Sequence, residues 1–163
     1  MPRKSKPTAK PSAPPSTPPS AVLDATILVS AFLTPHGVAA QLLSEARQGH
    51  FTLILSEEIL AETQEVLLHR ERIRKRYAYT DEQPMRFCYA LRTAVPLVRP
   101  APNVRGVCRD PNDDHVIACA IAAQARYLVT RDPDLLDLQS YQHVQMVSPV
   151  TFTQVLSRWK GKS

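Results

Sequence analysis

The sequence predicts an α/β protein whose central parallel sheet of about five strands is covered by helices on both faces. Three observations carry this. Short apolar runs alternate with longer stretches of helical periodicity. Helix-starting devices recur directly after those runs, at Ser56, Asp110-Pro111, Asp132-Pro133 and Ser148-Pro149. The apolar share, 44% of 163 residues, is ordinary for one soluble domain and enough for a real core.

The elements follow in order. Ala21–Ala25 reads as a buried first strand. Ile27–Leu33 and Val38–Gln48 read as helices, broken at Pro35-His36-Gly37. Phe51–Leu55 is a second strand, and Ser56 caps a helix to about His69. Thr80-Asp-Glu-Gln83 has the form of a capping box and opens a helix to about Thr93. Val95–Val98 is a third strand, placed at a sheet edge because it contains Pro96. Asp110-Pro111 starts a helix to about Ala125, followed by a fourth strand at Tyr127–Thr130. Asp132-Pro133 repeats the cap, Val144–Val147 is a fifth strand, and Ser148-Pro149 starts the last helix.

Composition divides the chain. Residues 1–20 hold seven of the fifteen prolines and four basic residues (Arg3, Lys4, Lys6, Lys10), with no acid. They read as a disordered tail, residues 21–158 as the folded domain and residues 159–163 as a short second tail. Without those four charges the net +5 falls to +1, so overall charge is a poor argument for a nucleic-acid partner. No apolar run reaches the length of a membrane span, so no membrane partner is expected. Cys88, Cys108 and Cys119 lack metal-ligand spacing and point to reduced thiols in a cytoplasmic protein.

Four acids are placed where such a sheet would gather them: Asp24, Glu62, Asp114 and Asp132. Asp24 and Asp132 follow the first and fourth strands, at the carboxyl end of the sheet where open α/β folds bind ligands. Glu62 borders the apolar stripe of its helix. Asp114 lies three, four and seven residues before Ile117, Ala118 and Ile121, and so faces the sheet. Asp113 reads as a favourable charge on the helix dipole, Asp110 as a cap, and His36 and His115 as structural. Converging carboxylates repel one another unless a cation fills the space between them, which points to Mg²⁺ or Mn²⁺ and to metal-assisted hydrolysis. The basic run with Arg70, Arg72, Arg74, Lys75 and Arg76 is either a solvated helix end or a grip on a phosphate backbone.

Four stretches taken together resemble the PIN-domain ribonucleases: Val22–Ser30, Leu55–Val66, Cys108–Ala118 and Tyr127–Asp134. The branch looks like the toxin components of bacterial toxin–antitoxin pairs. The resemblance implies a three-layer α/β/α sandwich of strand order 3-2-1-4-5. It implies Mg²⁺- or Mn²⁺-dependent cleavage of single-stranded RNA by water attack at phosphorus. Asp24, Glu62, Asp114 and Asp132 would be the catalytic and metal-binding acids, with Ser30, Thr26 and Thr130 supporting them. It further implies a cognate antitoxin and a homodimer; apolar side chains at Ile59, Leu60, Leu67, Leu68, Phe87, Tyr89 and Leu91, more than one sheet face should cover, point the same way. One departure stands out. The family reads Asp-Thr-Asn after the first strand, and this chain reads Asp24-Ala25-Thr26. Two other functions compete. A haloacid-dehalogenase-type phosphohydrolase would need a second Asp where Thr26 stands, and a non-catalytic PIN-like module would bind RNA or protein without cutting.

Overall fold

A computed structural model describes residues 17–101, 104–108 and 110–162. The strands are β1 (Ser20–Leu23), β2 (Thr52–Ile54), β3 (Tyr127–Val129), β4 (Ser140–Tyr141) and β5 (Val144–Val147). The helices are α1 (Ala25–Leu33), α2 (Val38–Arg47), α3 (Glu57–His69), α4 (Glu71–Arg76), α5 (Glu82–Ala94), α6 (Asp114–Ala122), α7 (Pro133–Leu138) and α8 (Pro149–Lys162). A 3₁₀ turn, Pro111–Asp113, leads into α6. The tail read at residues 1–20 lies outside the described residues up to position 16, and Ser20 already belongs to β1. The last helix runs to Lys162, through most of the short second tail.

The sheet order is β2-β1-β3-β5-β4, parallel except for β4. This is the expected 3-2-1-4-5 arrangement with two modifications. The strand expected at Val95–Val98 shrinks to a bridge between Leu97 and Leu55 plus one bond, Val98 N–H to the Leu55 carbonyl at 2.9 Å. Pro96 has no N–H to extend the ladder. Beyond β5 lies the short antiparallel β4, joined to it through Gln142-His143. Gln142 takes the left-handed conformation (φ 53°) with no glycine or asparagine there to announce a turn.

Burial shows that both faces of the sheet are covered. Successive strand residues point to opposite faces, yet Ala21, Val22 and Leu23 are all fully buried, as are Leu128 and Val129. α6 packs on β1, β3 and β5, and Val116 to Ala120 are all buried, so this helix is enclosed on most sides. Phe152 of α8 sits edge-on to Phe51 with ring centroids 5.0 Å apart and also meets Tyr127. Burying that ring fully contributes roughly 1.5–3 kcal/mol. Ile59, Leu60 and Leu67 are fully buried within the chain's own core, which removes them from the expected dimer surface. Met85 and Tyr89, one turn apart on α5, are 50% and 64% exposed. Among the described residues no single helix is long and apolar enough to cross a membrane. Cys88, Cys108 and Cys119 are buried free thiols.

Candidate active site

The site lies where β1 and β3 end side by side, with Leu23 in register with Val129. Strand order reverses here, because β2 lies on one side of β1 and β3 on the other. Asp24 leaves β1 and caps α1, accepting the Ile27 N–H at 3.3 Å. It is only 4% exposed. Two hydroxyls complete its shell. Thr26 donates to Oδ1 at 2.5 Å, and Thr130 donates to Oδ2. Burial pushes the Asp24 pKa up to about 6; the Thr130, Thr26 and Ile27 donors oppose the rise, and the negative charge of Glu62 adds to it.

Asp132 caps α7 by accepting the Asp134 N–H at 3.0 Å, and its own N–H donates to Thr130 Oγ1. Asp113, at the end of the 3₁₀ turn, meets it side chain to side chain. Burial first, then the hydrogen bond and charge of Asp132, then the charges of Asp110 and Glu62, raise Asp113 to about 7. Sequence reasoning had assigned this residue only to the helix dipole. The reason is a change of pitch: periodicity counted back from Ile117 assumes α-helix to Asp110, whereas a 3₁₀ turn occupies Pro111–Asp113. The Asp110-Pro111 pair was the available signal, since it fits a short turn as well as a helix start.

Asp114 is buried, as expected, but it turns toward the preceding loop. It accepts the Gly106 N–H at 2.9 Å and the Cys108 N–H at 2.8 Å. Burial alone would raise its pKa; these donors, with the Cys108 thiol, outweigh burial and hold it below the ordinary carboxylate value. Burial and the same carboxylate push the Cys108 thiol up to about 12.

Glu62 is partly exposed and sits 3.3 Å from His115 Nε2. That hydrogen bond raises the His115 pKa above its ordinary value. His115, which the sequence alone makes structural, has a hydrogen-bond partner 53 positions away in the chain, a distance over which no local pattern could reveal it. Its Nδ1 is buried without a partner among the described residues. The Ser30 hydroxyl makes no hydrogen bond to this network among the described side chains; the Ser30 carbonyl accepts the Thr34 N–H at 2.9 Å, closing α1.

The basic run divides. Arg74 faces inward: it bonds the carbonyls of Leu67 and Tyr79, pairs with Asp81 at 2.8 Å and lies over the Tyr79 ring. It fastens the α4–α5 connection. Lys75 pairs with Glu71. Arg70, Arg72 and Arg76 are exposed.

The family model of the PIN domain matches residues 20–134, most of the chain and all the residues described above. The chain belongs to the PIN-domain family. Comparison with curated proteins finds no match. PIN domains are generally nucleases and typically use divalent metal ions. Among the described residues, no three potential ligand side chains are grouped closely enough to enclose an ion. The donor chemistry nevertheless suits a hard cation. All the acids offer oxygen, and the neighbouring charge that adds to burial in raising Asp113 is what a cation relieves. Mg²⁺ commonly binds through one or two carboxylates and keeps several waters, which the Asp113–Asp132 pair beside Asp24 can accommodate.

Stability should therefore depend on pH in a defined direction. Burial raises Asp24 to about 6 and, with the neighbouring acids, Asp113 to about 7, well above the ordinary aspartate value. Such groups contribute stability below about pH 4 that is lost as pH rises through 6 to 7. His115, also raised, acts in the same sense above its ordinary value. Asp114, Glu45 and Glu57 are lowered and act oppositely, but only in the acid range below their ordinary values. The metal-free protein should melt at a higher temperature at pH 5.5 than at pH 8. Mn²⁺ should close the gap. A midpoint that rises with pH over this range would contradict the raised Asp24 and Asp113 carboxyls.

Proposed function

We propose that this protein is a Mg²⁺- or Mn²⁺-dependent endoribonuclease that cuts single-stranded RNA. The observation that carries the reading is that Asp24 and Asp132 leave the carboxyl ends of β1 and β3 while Asp113 lies close enough to Asp132 that its charge, with those of Asp110 and Glu62, helps raise Asp113. When bound, the cation supplies an acidified water and neutralises charge developing at the phosphate. Asp113 and Asp132 would hold it, and Asp24 would add its charge. Glu62, oriented by His115, is placed to accept a proton from the attacking water. Arg70, Arg72 and Arg76 would grip the RNA backbone.

We also assign it the role of toxin in a toxin–antitoxin pair, working as a homodimer in the cytoplasm. The resemblance of Val22–Ser30 and Tyr127–Asp134 to such toxins supports the role. Exposed Met85 and Tyr89 support a pairing surface. A cognate antitoxin would place Lys or Arg among the acids.

The test is cleavage of an unstructured RNA oligonucleotide with Mn²⁺, with EDTA as the control. Cleavage that requires the cation and spares duplex RNA is expected. No cleavage with either metal sinks the enzymatic reading and favours a binding module. Replacing Arg70, Arg72 and Arg76 by Ala together should reduce the salt slope of RNA binding by about 2, from roughly 0.7 per phosphate contact on a single strand. An unchanged slope would place the RNA elsewhere.

A further inference from the structure

We infer that Thr26 is a positioning residue: its hydroxyl ties the backbone leading into Asp132 to the Asp24 carboxylate, so that the two acids meet a cation as one unit. Two bonds made by a single atom carry this. Thr26 Oγ1 donates to Asp24 Oδ1 at 2.5 Å and accepts the Arg131 N–H at 3.0 Å. Asp24 and Arg131 are more than a hundred residues apart in the chain, and Thr26 joins them from the first turn of α1.

The arrangement is doubled by Thr130. Its Oγ1 donates to Asp24 Oδ2 and accepts the Asp132 N–H at 3.0 Å. A hydroxyl has one hydrogen and two lone pairs. Each of these hydroxyls accepts a backbone N–H whose direction is set by the β3–α7 loop. Its hydrogen is then left for the carboxylate. Both oxygens of Asp24 are thus held by donors aimed before any ligand arrives, which is the preorganisation that catalytic acids require.

The two threonines are not redundant. Thr130 belongs to the segment it holds, which the backbone ladder fixes only as far as Thr130 itself, through Thr130 N–H to the Val147 carbonyl at 3.0 Å. Thr26 comes from α1 and adds a second point, one residue nearer to Asp132, on the opposite carboxylate oxygen. Thr26 therefore holds the loop at Arg131, beyond the last ladder bond and next to Asp132. The chain carries Thr26 where the family pattern carries an amide, and the bonds show what the hydroxyl does there.

The consequence for cation binding rests on the nuclease reading, but the tether is a property of the free protein, and the experiment separates them. Thr26→Val removes the hydroxyl and keeps the side-chain shape. Thr26→Ser keeps the hydroxyl. Both would be prepared in the full chain and compared with wild type by amide hydrogen exchange without metal, and by calorimetry with Mn²⁺ alone, without RNA. Thr26→Val should speed exchange of the Arg131 amide about tenfold, the scale of one lost hydrogen bond. It should weaken Mn²⁺ binding about tenfold or more, the scale seen when groups orienting metal ligands are removed. Thr26→Ser should restore both to near wild type. Unchanged Arg131 exchange in Thr26→Val overturns the tether. Faster exchange with unchanged Mn²⁺ affinity overturns the positioning role. A wild type that binds no Mn²⁺ overturns the nuclease reading and the positioning role with it, while exchange at Arg131 still decides the tether.

Discussion

Asp24→Asn should abolish cation-dependent RNA cleavage and at the same time flatten the pH dependence of stability. The first effect follows from charge. Asp24 is 4% exposed, and an amide keeps its shape but gives up the anion that draws a cation in. A loss of at least about 100-fold is expected, the lower end of the range for removing one preorganised electrostatic partner. The second effect follows from linkage. Raising Asp24 from 3.8 to about 6 corresponds to roughly 3 kcal/mol of stability forgone at neutral pH. Asn does not ionise, so the variant escapes that loss. Against this, Thr26 and Thr130 both direct hydrogens at the carboxylate, and one must turn to meet the amide nitrogen. That offsets the gain by about 1 kcal/mol. Near pH 5, where Asp24 is mostly protonated in the wild type, the two proteins should unfold at similar denaturant concentration. At pH 8 the variant should be the more stable. Retained cleavage would remove Asp24 from the site.

What was legible in the sequence was whatever local chemistry determines. Apolar runs and caps located β1, β2, β3 and β5, because buried parallel strands need continuous apolar residues and helix starts need acceptors. Ser56 accepts the Ile59 N–H at 3.2 Å, and Thr80 N–H donates to Gln83, one half of the expected capping box, with Asp81 at the cap position. Asp24 and Asp132 were legible for the same reason, since each ends a strand and caps a helix. The misses are of a different kind. Pro96 reduced a strand to a bridge, and Gln142 turned a hairpin without a turn residue. Asp113 and His115 owe their roles to partners brought by the fold, Asp132 and Glu62, which periodicity cannot see. Arg74 looked like its basic neighbours until Tyr79 and Asp81 were placed around it.

The neighbouring acids Asp113 and Asp114 should separate when each is changed to Asn. Sequence alone assigns Asp114 to the metal and expects its amide to fold normally. The hydrogen bonds say otherwise. Its two oxygens accept N–H groups from Gly106 and Cys108, and an amide has only one oxygen to offer. One charge-assisted bond is lost, and a backbone N–H then faces an NH₂ group. The cost is roughly 2–4 kcal/mol, enough to lower the melting midpoint well outside error and to loosen the loop before α6. Asp113→Asn should do the reverse. It removes a carboxyl raised to about 7 by burial and by Asp132, so the metal-free protein should be at least as stable as wild type at pH 8. It should nonetheless lose most of its Mn²⁺ affinity, because half of the carboxylate pair is gone. Melting with and without Mn²⁺ reads both effects at once. An Asp114→Asn protein that melts like wild type but no longer binds Mn²⁺ would return the ligand role to Asp114 and leave Asp113 with the helix dipole.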